Sequence, residues 1–166
     1  MILTILSLVK NLSTWVLSSE SKRIEMDILR NYAMHFVGTP YKWGGDDPMD
    51  GFDCSGFIQE LLASVGMDPP GDQTAQKLFD HFEKYGQWNI YKCGALAFYG
   101  KSVAEITHVA MLIDGYRIIE AGGGGAKTKS KQDAIDQNAY VRVRLLRNRK
   151  DLVAVILPRY TTIGQI

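Results

Sequence analysis

From residue 54 to residue 65 the apolar positions Phe57, Ile58, Leu61, Leu62 and Val65 fall at helical spacing, and Gly66 stands where a C′ glycine ends a helix. Asp53, just upstream, has the short acceptor side chain of an N-cap. An earlier helix is predicted over residues 20–37, capped by Ser18 or Ser19. In it Ile24, Ile28, Tyr32 and Phe36 recur every four residues, with Leu29 and Ala33 beside them, and Gly38 and Pro40 stop it. Beyond the turn Asp68-Pro69-Pro70-Gly71, a third helix is expected over residues 73–85, capped by Asp72 or Thr74 and stopped by Gly86. From Trp88 the period becomes strand-like: residues 95–99, 107–114, 116–121, 140–146 and 152–157 are rich in β-branched and aromatic side chains. Helices first and strands afterwards predict an α+β domain over residues 20–160. N-terminal helices should pack on a central antiparallel sheet of about five or six strands.

Residues 1–17 carry a different pattern. Ile2, Leu3, Ile5, Leu6, Val9, Leu12, Val16 and Leu17 lie at three- and four-residue steps, which reads as an amphipathic helix or arm over residues 1–19. No basic region precedes the apolar run, Lys10 and Asn11 interrupt it, and no A-x-A site follows, so it makes a poor signal peptide. It is also too short and too polar to span a bilayer. The expectation is a helix docked on the domain or on a partner subunit; membrane contact through an interfacial helix, or a degenerate export signal, is the second reading. Residues 161–166 are expected to be a C-terminal tail.

Composition narrows the picture. With 46% apolar and 22% charged residues the chain is of ordinary globular type. A net charge of +1 argues against a nucleic-acid partner. There are two cysteines, Cys54 and Cys93, and sequence alone leaves their pairing open; Cys93 reads as a small apolar residue. No Cys/His cluster has zinc spacing, so neither metal nor cofactor is expected.

Cys54 is the candidate nucleophile. It occupies the first position of its helix, where the positive end of the macrodipole favours thiolate over thiol. The preceding loop, Gly44-Gly45-Asp46-Asp47-Pro48, is flanked by Tyr41, Trp43 and Phe52 and suits an aromatic cleft wall, with Gly51 turning the backbone into the helix. A thiolate needs an imidazole that takes its proton and returns it to a leaving amine, and His108, near the start of an apolar strand, is the candidate. His35 reads as a plain surface or edge residue, and His81, with no polar company nearby in sequence, reads the same way. The base needs a third group to hold one tautomer. Glu120 lies twelve residues beyond His108, across a turn centred on Asp114-Gly115. A three-residue loop Ile113-Asp114-Gly115, with Gly115 left-handed, would oppose Leu112 to Tyr116 and His108 to Glu120. The run Gly122-Gly123-Gly124-Gly125 then reads as a loop, either bordering the cleft or merely connecting. Arg142, Arg144, Arg147, Arg149 and Lys150 read as a solvated face, with contact to an anionic polymer as the lesser reading.

The ordered set PYKWGG, GFDCSGFIQ, THVAM and IIEA resembles the NlpC/p60-type cell-wall cysteine peptidases, which are papain-like in architecture, over roughly residues 24–160. The resemblance implies a thiol endopeptidase that cleaves an amide bond of the peptidoglycan stem peptide, typically between D-γ-glutamate and a diamino acid. It implies that Tyr41 lines the cleft and helps hold substrate or oxyanion with the backbone N–H of Cys54. Asp53 and Ser55 would recognise the stem peptide, Asp53 by pairing with a free amino group, and Trp43 would join the substrate wall. Two positions depart from the pattern: Ala95 stands where the family commonly has Asp, and Glu120 where it more often has His, Asn or Gln. The Glu120 variant followed by a glycine-rich loop is similar to phage-encoded members, tail-associated or lytic. Action on the bacterial wall, in the periplasm or delivered by a virion, is the corresponding expectation. The alternatives are an amidase or acyltransferase on the same fold, and a non-catalytic wall-binding or virion structural module.

Overall fold

The protein is described by a computed structural model over residues 20–160, residue 22 apart. The expected N-terminal amphipathic helix or arm, the Ser18 or Ser19 cap expected for the helix that follows it, and the tail at 161–166 lie outside the described residues. The first helix, α1, runs through residues 23–35. It buries Leu29 and Ala33 completely, with Met26, Tyr32 and Phe36 packed against the core, while Ile24 and Ile28 are 51% and 62% exposed. The expected row of every fourth residue therefore corrects to a 29-33-36 stripe. A strict four-residue step gains on the 3.6-residue turn, so its first members rotate off the buried face.

Beyond α1 the chain makes a two-stranded antiparallel ribbon, β1 (Asp46–Asp47) and β2 (Gly51–Phe52), and then enters α2 (Cys54–Ala63). Gly51 has φ +120, and a Cβ there would meet the Pro40 carbonyl oxygen at 2.6 Å, so the sharp turn into α2 needs glycine. Asp53 caps α2 as expected, its side chain accepting from the backbone N–H groups of Ser55 and Gly56. Helix α3 (Ala75–Tyr85) starts on the Thr74 cap.

A six-stranded sheet follows in the order β3-β8-β4-β5-β6-β7, every pair antiparallel. Its strands are β3 (Gln87–Trp88), β4 (Leu96–Gly100), β5 (Ile106–Leu112), β6 (Arg117–Gly122), β7 (Tyr140–Leu145) and β8 (Leu152–Leu157). The α+β architecture and the strand count match the expectation. Sequence reading missed the two-residue strands and α4 (Lys131–Asp136), although a capping box between Ser130 and Asp133 marks that helix.

Alternation along each strand gives the sheet two different faces. On one, Leu96, Phe98, Val109, Met111, Ile119 and Ile156 meet Phe57, Ile58, Leu61, Leu78 and Phe79 of α2 and α3. Phe52 is fully buried there as well, and so is core and not cleft wall. On the other, Ala95, Ala97, Tyr99, Ala110, Leu112 and Ile118 form a smaller cluster. Ala95 belongs to this packing, where a carboxylate would be buried.

Candidate active site

Cys54 and His108 line one cleft of about 310 Å³, together with Tyr41, Trp43, Asp53, Ser55, Thr74, Ala75, Ile106, Thr107, Gly124 and Arg149. A larger cavity of about 510 Å³, walled by Met26, Lys92, Leu157, Arg159 and Tyr160 among others, presents no nucleophile with a base. The cleft lies where the start of α2 meets the end of the sheet at which β5 begins and β6 finishes. Local sequence places each part: the Asp53 cap starts α2 at Cys54, and strand pairing sets the residues around His108.

His108 and Glu120 are hydrogen-bonded, Nε2 to Oε2 at 2.7 Å, and both are buried. The hairpin that brings them together differs from the expected one. Leu112 opposes Ile118, not Tyr116, and Gly115 is not left-handed. Asp114 Oδ1 accepts from the N–H groups of Tyr116 and Arg117, so a side-chain-capped turn replaces the glycine-dependent one. The register moves by two residues, which conserves the face. Glu120 is therefore a diagonal neighbour of His108, within reach of a long side chain.

Glu120 is only 1% exposed and is charge-balanced from three sides. Its Oε1 lies 3.4 Å from the Arg144 guanidinium and 3.7 Å from Nε of Arg142, its direct cross-strand partner. Burial alone would raise the carboxyl's pKa, but the hydrogen bond and charge of His108, with Arg144 and Arg149, hold it below the ordinary value. For His108, burial is the largest single influence and opposes the charged form. The hydrogen bonds and charges of Cys54 and Glu120 together outweigh it, and the pKa rises from 6.5 to about 9. With Nε2 held by Glu120, Nδ1 is the ring nitrogen left for Cys54.

The wall opposite is made by two loops tied together. Trp43 N–H donates to the Thr128 carbonyl at 2.7 Å, and the buried Thr128 hydroxyl accepts from Gly125 N–H and donates to Gln137. Gly124 rests on the Tyr41 ring so closely that a Cβ there would stand 2.3 Å from it. The glycine run thus borders the cleft. Tyr41 is only 4% exposed and Trp43 is 53% exposed. Burial, and the charges of Cys54 and Asp53, push the Tyr41 phenol above its usual range, keeping it a hydrogen-bond donor. Asp53 Oδ1 accepts from the backbone N–H of Ser55 and Gly56 and from the Ser55 hydroxyl, and Oδ2 accepts from Gly44 N–H. The cap leaves the Cys54 N–H unused.

Apart from Phe52, which is core, every site residue expected from sequence thus sits at this cleft or, for Glu120, directly behind it. Sequence reading missed Thr74, Ala75, Ile106, Thr107 and Arg149 as lining residues, and Arg142 and Arg144 as partners of Glu120. The alternation Arg142-Val143-Arg144 was a usable signal: on a strand paired with β6, both arginines share the face of Glu120. Cys54 and Cys93 are both free thiols, and burial, the largest influence, pushes Cys93 up to about 11. His35 and His81 stand away from the cleft. Among the described residues no group of three His, Cys, Asp or Glu is arranged to hold a metal ion, and no helix is long and apolar enough to cross a membrane.

These features define an α+β protein with cysteine, imidazole and carboxylate converging at the start of one helix. Residues 38–145 match the model of the NlpC/P60 family, and the chain belongs to that family. It is 34% identical over 95 residues to the bifunctional muramidase/DL-endopeptidase CwlT of Bacillus subtilis, covering 56% of this chain and 28% of CwlT. Protein P54 of Enterococcus faecium is 38% identical over 98 residues, 58% of this chain and 18% of P54. The γ-D-glutamyl-L-lysine dipeptidyl-peptidase of Bacillus subtilis is 32% identical over 108 residues, 62% of this chain and 34% of the relative. The chain therefore spans between 18% and 34% of the length of these relatives. The NlpC/p60 domain of the peptidoglycan hydrolase SagA superposes with a TM-score of 0.59 at 27% identity, covering 79% of this chain and 97% of that domain.

Proposed function

We propose that residues 20–160 form a cell-wall cysteine peptidase domain that hydrolyses an amide bond in the peptidoglycan stem peptide, between D-γ-glutamate and the diamino acid that follows. The observation that carries this reading is the cleft itself: Cys54 at the start of α2 and His108 on its wall, with Nε2 of His108 bonded to buried Glu120. Family membership, and relatives named as a DL-endopeptidase and as a γ-D-glutamyl-L-lysine dipeptidyl-peptidase, support the substrate class.

In this mechanism the Cys54 sulfur attacks the scissile carbonyl carbon, and the carbonyl π electrons move to oxygen. The oxyanion takes hydrogen bonds from the Cys54 backbone N–H and the Tyr41 hydroxyl. The His108 imidazolium gives its proton to the amide nitrogen as the C–N bond breaks, releasing an amine and leaving a thioester. Neutral His108 then takes a proton from water, whose oxygen attacks the thioester, and the acid departs as the sulfur recovers its electrons. Glu120 keeps the ring in the orientation that serves both steps. Asp53 and Ser55 face the acyl part of the substrate, with Trp43 as an apolar wall.

Digestion of purified sacculi tests the proposal. New amino groups on the diamino acid and new carboxyl groups on glutamate are expected, and no new termini with Cys54→Ser. A released muropeptide cut at any other bond would replace the bond assignment, and intact sacculi would remove the peptidase reading.

A further inference from the structure

Among the described residues Arg149 is the one that lines the cleft with a permanent positive charge, and beyond its field on Glu120 no step of the chemistry above uses it. Its guanidinium stacks over the Tyr99 ring at 4.6 Å from the centroid. One edge is engaged by Asp151, Nε to Oδ1 at 3.0 Å and one Nη to Oδ2 at 2.6 Å. Of the five N–H donors of an arginine, that fork uses two and leaves the end-on pair of nitrogens with donors to spare. An arginine fixed by a ring below and a carboxylate along one edge has already lost its rotamer freedom, so binding through the other edge costs little further ordering. The side chain is 27% exposed, open enough to meet a ligand and desolvated enough to strengthen a charged hydrogen bond.

Its place in the cleft indicates which part of a substrate it meets. Tyr99, the ring under Arg149, is the direct cross-strand partner of His108. Arg149 therefore stands on the His108 side, whereas Tyr41, Trp43 and Gly124 build the other wall. The departing amine receives its proton from His108, so the released fragment lies on that side. The acid in the cleft, Asp53, already accepts from Gly44, Ser55 and Gly56, and does not neutralise Arg149.

We propose that Arg149 is a specificity-determining residue that takes a free carboxylate on the amine fragment released by cleavage. This rests on the peptidase reading above. The carboxylate could come from two sources: a diamino acid bearing a second carboxyl group on its side chain, or the terminal carboxylate of a short peptide.

Paired substrates separate the two. Synthetic γ-glutamyl peptides would carry diaminopimelate, its side-chain monoamide or lysine, each with a free or amidated C-terminus. For the wild-type protein, kcat/KM should be roughly ten- to a hundredfold higher for the peptide with the relevant carboxylate than for its amide. Arg149→Gln should abolish that preference mainly through KM, and Arg149→Lys should keep part of it. A preference for the side-chain acid names the first source and a preference for the terminal acid the second. Equal rates on acid and amide in the wild type, or a preference untouched in Arg149→Gln, would overturn the proposal. A second measurement needs no peptidase activity. Iodoacetate carries a negative charge that iodoacetamide lacks, and the ratio of their rates of alkylating Cys54 should shift several-fold toward the amide in Arg149→Gln relative to wild type, but not in Arg147→Gln. An unchanged ratio in Arg149→Gln counts against Arg149 even where no peptide is cleaved; a changed ratio without cleavage removes the peptidase reading and leaves the anion site standing.

Discussion

The two faces of the sheet solve opposite problems. On the helix side, Phe57, Ile58, Leu61, Leu78, Phe79 and Phe98 remove apolar surface from water, with aromatic contacts such as Phe79 on Phe98 at a 5.3 Å centroid separation. On the other side the sheet buries alanines and a few aliphatics toward the hairpin end, and at the cleft end it buries charge: His108, Glu120 and the Tyr99 ring, rimmed by Arg142, Arg144 and Arg149. The first face stabilises in proportion to area and tolerates swaps that conserve volume. The second holds only while every charge keeps its partner, because a lone buried carboxylate or imidazolium is strongly disfavoured. Stability is therefore concentrated on one face and the proposed chemistry on the other. Cys54 stands at their junction, on the helix that belongs to the first face and in the cleft that belongs to the second.

The largest expected effect comes from substitution at that junction. Cys54→Ser exchanges sulfur for oxygen with little change of shape, so the melting temperature should stay close to wild type. Peptide hydrolysis should fall by roughly four to six orders of magnitude, as when a member of a catalytic unit is lost. A variant that still digests sacculi would separate the chemistry from Cys54. On the apolar face the order reverses. Phe57→Ala, at a fully buried site between Phe36 and Phe52, should cost about 3–5 kcal/mol in urea unfolding. A cost below about 1 kcal/mol would mean that the helix face is not the seat of stability.

The two thiols sharpen the same contrast. Burial pushes Cys93 up to about 11, so near pH 7.5 almost none of it is thiolate. Iodoacetamide should label Cys54 at least tenfold faster than Cys93, read by mass spectrometry of the digested protein; equal rates would contradict the placement of both residues.

The same division explains what could be read from sequence. The helix face was legible because apolar periodicity and caps act locally: Asp53, Thr74, Gly51 and the strand alternation all follow from residue type at short range. The first helix was mis-rotated because a four-residue repeat resembles a helical face over two turns and drifts off it over four. The 108–120 pairing was legible to the level of which face each residue takes, since the side-chain period of two survives a shift of two. The true register was not, because Asp114 could cap the turn with its side chain and so relieved Gly115 of a left-handed conformation. The partners of Glu120 and the clamp on Arg149 depend on strand order and on residues far apart in the chain, which no local pattern encodes.

The smallest effect is also the most specific to the charged face. His108 is raised by folding from 6.5 to about 9, so the imidazolium contributes stability fully below about pH 6.5, and the contribution is lost as pH rises through about 9. Glu120 is lowered, so its contribution is present above the ordinary carboxyl range and is lost as pH falls through its depressed value. Activity that requires the imidazolium as proton donor should share the alkaline limb near 9. Glu120→Gln keeps the size and one acceptor and removes the charge, so the limb in kcat/KM should move down from about 9 toward 6.5. Glu120→Ala removes the orienting group altogether and should lower the height of the profile further, since a ring free to turn presents the wrong nitrogen for part of the time. Both variants leave Arg142 and Arg144 facing a position without negative charge, which should make them less stable than wild type and most clearly so at neutral pH. Three pH profiles of equal height and position on a stem-peptide substrate would show that Glu120 does not hold His108, and the contrast between the two faces would then lose its chemical half.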